Sequence, residues 1–265
     1  MRSRVYYLIV SGFIGALVAT GLVAAPSAAA AEAEFVALGD SYSSGTGTRS
    51  YIDDGSGCQR STLAYPSLLA TRLGKTLSFQ ACTGSTVQNV IDQQLGTLTS
   101  STEYVTVTAG GNDIGFSSVL TKCAEPRSDA ACDARVDTAE AIIASDLPGR
   151  LDRLFDLIAE KAPSARVVVA SYPKLFNGED CNAVTWFSPH EEERLNATAG
   201  KLAAAISARA SAHGFGFTDV RDAFTGHAVC DSPAWINGLS NPISESYHPN
   251  REGQSAYADL VGAEL

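Results

Sequence analysis

The sequence has no excess of positive charge: 19 Lys and Arg stand against 29 Asp and Glu, which gives a net charge of −10. Proteins bind nucleic acid largely through Lys and Arg on phosphates, so the charge argues against a nucleic-acid partner. It also provides no attraction to an anionic membrane surface. Only 18% of the 265 residues are charged and 45% are hydrophobic. That balance excludes wholesale disorder and fits one or two globular domains.

Metal-binding motifs are also missing. No C-x-x-C pair occurs, the closest cysteines are nine positions apart, and the H-E-x-x-H pattern fails at His190 because position 194 is Arg. Structural and catalytic zinc sites depend on such closely spaced ligands. We therefore predict neither a metal nor a cofactor.

Residues 1–31 have the composition of a leader. Arg2 and Arg4 precede 21 uncharged residues, and the stretch ends in an alanine run up to Ala31. This pattern predicts a secretory signal peptide cleaved after Ala31, followed by a single domain over 32–265. An uncleaved signal anchor is the alternative, because 21 uncharged residues could span a bilayer. No later run approaches 18 apolar residues, so we expect no stable membrane anchor after cleavage, and a mature chain 12 charges negative.

All six cysteines lie beyond the leader, and an even number behind a signal peptide is typical of an extracellular protein with three disulfides. Six cysteines allow 15 pairings, and the sequence alone does not choose among them. The simplest expectation is sequential pairing, in which each bridge closes one loop region: Cys58–Cys82, Cys123–Cys132 and Cys181–Cys230. We expect a secreted monomer.

Short β-rich runs alternate with helical patterns through the mature chain. The predicted strands are 35–38, 77–81, 104–108, 166–170 and 215–220. The longer helical patterns are 134–160, broken near Pro148 and Gly149, 188–213 and 250–263. Such alternation predicts an α/β fold with a parallel sheet covered by helices on both faces. Ligands bind at the carboxyl ends of parallel strands, so we expect the functional site in the loops 39–47, 82–86 and 110–116.

Each of these three loops carries a candidate functional group. Ser41 follows the first strand, Gly84 stands where a helix begins after the second, and Asn112 follows two glycines after the third. Taken singly, each is as well explained by a turn or a helix cap. The G-x-S-x-G elbow of the common α/β-hydrolases is absent, because residue 43 is Ser.

Histidine is the side chain best suited to proton transfer near neutral pH, and the sequence has four. His190 and His213 lie at predicted helix ends, and His227 has no evident partner. His248, whose backbone is restrained by the following Pro249, is the favoured general base.

Together, Gly39-Asp40-Ser41, Gly84, Gly111-Asn112-Asp113 and His248 resemble the four sequence blocks of the SGNH (GDSL-type) hydrolases, in order, over residues 35–263. The leader and the cysteines are similar to those of the secreted actinobacterial esterases, lipases and phospholipases of that family. The resemblance implies a three-layer α/β/α sandwich around a five-stranded parallel sheet, similar to flavodoxin.

The resemblance also implies the roles of the site residues. Ser41 is the expected nucleophile and His248 its general base, while the Ser41 N–H, the Gly84 N–H and the Asn112 side chain form the oxyanion hole. The family usually places Asp three residues before the histidine, where this chain has Glu245. Either the Glu245 carboxylate or a backbone carbonyl of residue 245 or 246 is expected to accept the hydrogen bond from the imidazole. Asp40 and Asp113 are expected to hold turns.

The expected function is that of a secreted serine esterase or lipase that forms a covalent acyl-enzyme. Two alternatives use the same site, a phospholipase A-type activity and a carbohydrate O-deacetylase, and a remote one is a non-catalytic secreted binding module. Residues 114–133 are a candidate lid. Three aromatic residues in loop segments could line an acyl groove or pack in the core: Trp186, Phe187 and Trp235.

Overall fold

The computed structural model describes residues 1–4, 6 and 33–265. The leader's apolar stretch and its cleavage point after Ala31 lie outside these residues, so the signal peptide stays a prediction. Residues 33–265 pack as one compact unit. Within the described ranges, no helix is long and apolar enough to cross a membrane.

Five strands and eight helices alternate along this unit, with two short 3₁₀ turns. The strands are β1 Phe35–Gly39, β2 Leu77–Phe79, β3 Tyr104–Thr108, β4 Arg166–Ala170 and β5 Gly216–Thr218. The helices are α1 Ser41–Ser44, α2 Tyr65–Leu73, α3 Val87–Gln93, α4 Phe116–Cys123, α5 Asp129–Ala144, α6 Leu147–Lys161, α7 Pro189–Ala212 and α8 Arg251–Gly262. The 3₁₀ turns are Leu95–Thr97 and Ile243–Glu245.

The strands form one parallel sheet in the order β2-β1-β3-β4-β5. Helix α2 packs against α8, whereas α3 packs on α6, α6 on α7, and α7 on α5. The two groups of helices cover the sheet, which confirms the predicted three-layer α/β/α sandwich. The buried strands β1 and β3 lie side by side in the middle, so the loops that follow them open at neighbouring points of the sheet edge.

The helix boundaries follow local sequence signals. Ser188 and Glu191 form a capping box at the start of α7, with Pro189 in the first turn. Gly74 ends α2 in the left-handed conformation that a glycine adopts without strain. The helical pattern predicted over 134–160, with a break near Pro148 and Gly149, is two helices, and the break lies at Ser145 and Asp146, just before α6 begins.

Three disulfides join the sequential cysteine pairs, Cys58–Cys82, Cys123–Cys132 and Cys181–Cys230. The second of them ties the end of α4 to the first turn of α5. The candidate lid over 114–133 is therefore not an open loop but a helix and a helix start, held together by a covalent bridge.

Candidate active site

Ser41 lies two residues after the end of β1, at the start of α1. Gly39 makes this turn with a φ of +121°, and a Cβ there would come within 2.3 Å of the Thr108 carbonyl oxygen on β3, so only glycine fits. The Asp40 side chain accepts the Tyr42 N–H at 3.0 Å and caps the short helix α1. The N–H of Ser41 donates to no other group among the described residues, and the serine faces a cleft at the sheet edge.

His248 reaches Ser41 from a loop near the other end of the chain. Its Nε2 lies 2.8 Å from the Ser41 Oγ, and its Nδ1 lies 2.9 Å from the Ser246 carbonyl oxygen. The carbonyl can only accept, so Nδ1 carries the proton and Nε2 is free to accept the serine hydroxyl. Burial lowers the pKa of His248 to about 4, against the opposing effects of the Ser246 hydrogen bond and the Glu245 charge. The imidazole is therefore neutral at pH 7.

Glu245 does not contact the imidazole. Its carboxylate accepts the Tyr51 hydroxyl at 2.7 Å and the Arg49 Nε at 3.1 Å. The 3₁₀ turn that ends at Glu245 directs the side chain toward the segment after Ser41, and the chain then passes through Tyr247 at a φ of +59° before it reaches His248. Of the two acceptors left open by the sequence, the structure has the backbone carbonyl, that of Ser246.

The two other candidate oxyanion donors lie on the neighbouring loops. The Asn112 Nδ2 donates one hydrogen to the Ser85 carbonyl at 2.9 Å, which leaves its second hydrogen for another acceptor. Gly84 adopts a φ of +77° and is exposed, and its N–H donates to no group of the described chain. The buried amide of Gln94 holds this loop against β1 by bonds to Gly39 and Ser85.

A buried tyrosine that sequence reasoning missed connects two of the loops. The Tyr172 hydroxyl donates to Asp40 at 2.5 Å and accepts the Gly111 N–H at 3.0 Å. Burial raises the pKa of Asp40 to about 7, although the hydrogen bonds from Tyr172 and Tyr42 oppose that rise. Tyr172 stands two residues after the end of β4. The functional site was expected only in the loops after the first three strands, and including the loop after the fourth would have found this residue.

Asp113 has the structural role expected for it. One carboxylate oxygen accepts the Val87 N–H at 2.9 Å at the start of α3, and the other lies 3.2 Å from Arg150. Burial raises the pKa of Asp113 in spite of these partners. The residue joins the loop after β3 to the helix that follows the Gly84 loop.

The cleft beside Ser41 is largely apolar. It encloses about 620 Å³ of empty space, including solvent at its mouth, and Ser41, Asn112 and His248 lie in its wall, whereas Gly84 does not. Its apolar lining comes mainly from α4, α7 and the segment after β4: Ile114, Phe116, Leu120, Pro173, Leu175, Ala199 and Leu202. A cleft with this lining suits an apolar ligand.

The three aromatic residues proposed from the sequence for an acyl groove lie elsewhere. Trp186 is 53% exposed, Phe187 is buried against Phe176 and Tyr247, and Trp235 stacks on His227 with ring centroids 3.7 Å apart. Residues 184–187 alternate between exposed and buried side chains. Phe187 therefore packs behind the cleft, and neither tryptophan reaches it.

No group of three His, Cys, Asp or Glu side chains is placed to hold a metal ion within residues 1–4, 6 and 33–265. The polar groups at the cleft are a hydroxyl, an imidazole, an amide and backbone N–H groups.

A serine hydroxyl within hydrogen-bond distance of an imidazole, at the carboxyl edge of a parallel sheet, is an arrangement typical of serine hydrolases. Comparison with known proteins gives the family. The model of the GDSL-like lipase/acylhydrolase family matches residues 37–256. The chain belongs to this family.

Similar proteins come from Streptomyces. Lipase 1 of Streptomyces coelicolor is 41% identical over 254 residues, which cover 92% of this chain and 93% of that protein. The crystal structure of the extracellular lipase of Streptomyces rimosus has 39% identity and a TM-score of 0.83, and covers 87% of this chain and 99% of its own. Phospholipase A1 of Streptomyces albidoflavus has 40% identity and a TM-score of 0.84, with 89% and 100% covered. The protein is a carboxylic ester hydrolase.

Proposed function

We propose that this protein is a secreted esterase or lipase in which Ser41 is the nucleophile and His248 the general base. The observation that carries the proposal is the 2.8 Å contact between the Ser41 Oγ and the His248 Nε2 in the wall of an apolar cleft. The three disulfides and the extracellular lipase of Streptomyces rimosus support secretion. We expect the enzyme to act as a monomer.

Acylation begins when the Ser41 Oγ attacks the ester carbonyl and its proton passes to the His248 Nε2. The Ser246 carbonyl, which holds the Nδ1 proton, stabilises the imidazolium that forms. The carbonyl oxygen of the ester becomes an oxyanion. Its hydrogen-bond donors are the free N–H groups of Ser41 and Gly84 and the second hydrogen of the Asn112 side-chain amide. One such donor contributes about 2.7–4 kcal/mol in other acyl-transfer enzymes.

Collapse of the tetrahedral intermediate expels the alcohol, which takes its proton from His248. The acyl group is then bound to the Ser41 Oγ. In deacylation His248 removes a proton from water, the resulting nucleophile attacks the acyl-enzyme, and Ser41 leaves with the proton returned by His248. Two tetrahedral steps thus replace one slower hydrolysis.

The cleft supports a proposal for the substrate class. Its apolar side chains from α4 and α7 suit an acyl chain rather than an acetyl group on a carbohydrate, so we propose acyl esters and lipids as substrates. The 40% identical phospholipase A1 makes a phospholipid the second candidate for the same site.

A panel of nitrophenyl esters from acetyl to palmitoyl, together with a phosphatidylcholine, tests the proposal. We expect kcat/KM to rise from acetyl to octanoyl because longer chains fill the cleft. Ser41→Ala removes the proposed nucleophile and is expected to lower kcat by a factor of about 10⁶, as in other serine hydrolases. The matched control is Ser43→Ala, since Ser43 is a buried neighbour bound to the Tyr65 hydroxyl outside the cleft.

Each result of the panel has a consequence. Activity on acetyl esters alone would favour the carbohydrate deacetylase. Wild-type turnover in Ser41→Ala, or no labelling of the wild type by a fluorophosphonate, would refute the assignment of the nucleophile.

A further inference from the structure

A cluster of hydrogen bonds joins the segment after Ser41 to the loop that carries His248. The Tyr51 hydroxyl accepts the Gly47 N–H at 3.1 Å and donates to Glu245 at 2.7 Å, and Arg49 donates to the same carboxylate at 3.1 Å. We call Gly47, Arg49, Tyr51 and Glu245 the clasp. Glu245 is 2% exposed, whereas the Arg49 side chain is 59% exposed.

Gly47 of the clasp packs closely against the loop that carries His248. A Cβ on Gly47 would come within 2.6 Å of the Pro249 carbonyl oxygen and 3.0 Å of the His248 Cβ. The Gly47 carbonyl accepts the Asn237 side-chain amide at 2.9 Å, and the Asn237 N–H donates to the His248 carbonyl at 2.9 Å. Any displacement of the clasp is therefore transmitted to the histidine.

The charge on Glu245 gives the clasp its strength. A carboxylate that accepts hydrogen bonds from a phenol and a guanidinium makes shorter and stronger bonds than a neutral acceptor does. Burial, followed by the hydrogen bond to Glu245, raises the pKa of Tyr51 to about 12, so Tyr51 remains the donor throughout the neutral range.

The imidazole itself has only a neutral acceptor, the Ser246 carbonyl. A backbone carbonyl orients a ring only as well as the backbone around it is fixed. Misplacement of a catalytic group by about 1 Å can cost roughly 10²-fold in rate. Firm placement of the loop therefore matters more here than in a site whose imidazole meets a carboxylate.

We infer that Glu245 is a positioning residue for His248: through Tyr51, Gly47 and Asn237 it fixes the loop so that Nδ1 meets the Ser246 carbonyl and Nε2 faces Ser41. This inference rests on the proposed roles of Ser41 and His248. Glu245 thus occupies the sequence position of the family's triad acid but acts on the backbone instead of the imidazole.

Glu245→Gln tests the inference, because glutamine keeps the size of the side chain, loses its charge and can present an NH₂ group to the Arg49 donor. We expect kcat on a short-chain nitrophenyl ester to fall about tenfold with KM changed less than twofold, since no clasp residue lines the cleft. Tyr51→Phe removes the connecting hydroxyl and is expected to give the same fall. The kcat of the double variant should be no lower than that of the less active single variant, because both substitutions break the same hydrogen-bond network.

Glu191→Gln is the matched control. Glu191 is also a buried glutamate with two donors, Ser128 and the Ser188 N–H, but it caps α7 away from the cleft. We expect it to lower the melting temperature and to leave kcat and KM unchanged. All variants are assayed at a temperature at which circular dichroism shows them folded.

A second measurement does not depend on turnover. Ring ¹⁵N shifts of His248 report its tautomer, and we expect mainly the Nδ1–H form in the wild type and an increased Nε2–H fraction in Glu245→Gln and Tyr51→Phe. If the wild type hydrolyses no ester, the proposed function fails, yet the tautomer change still tests the clasp.

Two results would overturn the inference. If kcat and the tautomer stay as in the wild type in both variants, the clasp supports the fold alone. If Glu245→Gln loses activity and Tyr51→Phe does not, Glu245 acts directly on the imidazole. A loss near the roughly 10⁴-fold seen when a triad acid is neutralised would show this most clearly.

Discussion

The two sides of the site are held by hydrogen-bonded chains of the same chemical pattern, a glycine N–H to a tyrosine hydroxyl to a carboxylate. On the nucleophile side the chain runs from Gly111 through Tyr172 to Asp40, with distances of 3.0 and 2.5 Å. On the histidine side it runs from Gly47 through Tyr51 to Glu245, with distances of 3.1 and 2.7 Å.

The two hydrogen-bonded chains differ in how the charge of their carboxylate is compensated. The Asp40 carboxylate has no cation among its hydrogen-bond partners in the described chain, and burial raises its pKa to about 7. Glu245 is equally buried but is paired with the exposed Arg49. Ser41, the proposed nucleophile, is thus fixed by the core, whereas His248, the proposed base, is fixed by a surface loop. We expect the Ser41 side to tolerate damage less well.

The largest effect on activity in this comparison is expected when the hydrogen-bonded chain on the Ser41 side is broken by Tyr172→Phe. Without the hydroxyl, the buried Gly111 N–H and the Asp40 carboxylate each lose a partner, which should lower the free energy of unfolding by about 2–3 kcal/mol. We expect kcat/KM to fall further than in Tyr51→Phe, by about 10²-fold. Urea unfolding and an ester assay measure both. Equal losses in the two variants would contradict the difference between the sides.

The nucleophile side also has a covalent support, the Cys58–Cys82 disulfide beside the Gly84 loop. The Thr83 N–H donates to the Cys58 carbonyl at 3.1 Å, so the bridge holds the residue before Gly84. Replacing both cysteines by Ala should lower the free energy of unfolding by about 2–4 kcal/mol. It should also lower kcat while KM is kept, because a candidate oxyanion donor is loosened.

The Cys181–Cys230 pair is the control for this prediction. It closes a longer loop, with a sequence separation of 49 against 24, so its loss should destabilise the fold at least as much. We expect its removal to leave kcat unchanged at temperatures at which the protein is folded. A preserved kcat in the Cys58–Cys82 variant would show that the bridge does not support the site.

The sequence predicted one part of this site well and another part poorly, for a physical reason. Ser41, Gly84 and Asn112 stand in the loops that follow β1, β2 and β3, within five residues of the strand ends, so the rule that ligands bind at strand ends locates them. Tyr172 and Tyr51 act through hydrogen bonds to residues 132 and 194 positions away. No local pattern encodes such pairings.

Glu245 shows a different limit. Its spacing from His248 is that of a triad acid, but the 3₁₀ turn and the left-handed Tyr247 between them separate the two side chains. The strands β3 and β4 were predicted to the residue, because both are short runs rich in β-branched residues, YVTVT and RVVVA. The edge strands β2 and β5 are shorter than expected, three residues each.

The two sides should also respond in opposite directions to pH. The pKa of His248 is lowered from 6.5 to about 4, so between these values the unfolded chain binds the proton and the folded chain does not; stability falls as the pH falls. The pKa of Asp40 is raised from 3.8 to about 7, so the folded chain holds that proton and stability falls as the pH rises.

Because these slopes oppose each other, single variants should separate them. Urea unfolding of His248→Asn between pH 4.5 and 6.5 should show stability decreasing with pH relative to the wild type, and Asp40→Asn should show it increasing. The acid limb of kcat/KM in the wild type should lie near pH 4, since the neutral imidazole is the base. A limb near 6.5 would show that His248 is not held as the buried neutral base.

The smallest effects on stability and kcat are expected from the exposed arginines that pair with a buried carboxylate on each side of the site. Arg49 pairs with the buried Glu245, and Arg150 pairs with the buried Asp113. The two arginine side chains are 59% and 47% exposed. Exposed ion-pair partners usually contribute about 0–1 kcal/mol, and each carboxylate keeps a second donor, the Tyr51 hydroxyl or the Val87 N–H. We therefore expect Arg49→Gln and Arg150→Gln to change the melting temperature slightly and kcat less than twofold. A larger loss of kcat in Arg49→Gln alone would mean that the histidine side depends on its surface cation, and that the clasp works as an ion pair rather than through Tyr51.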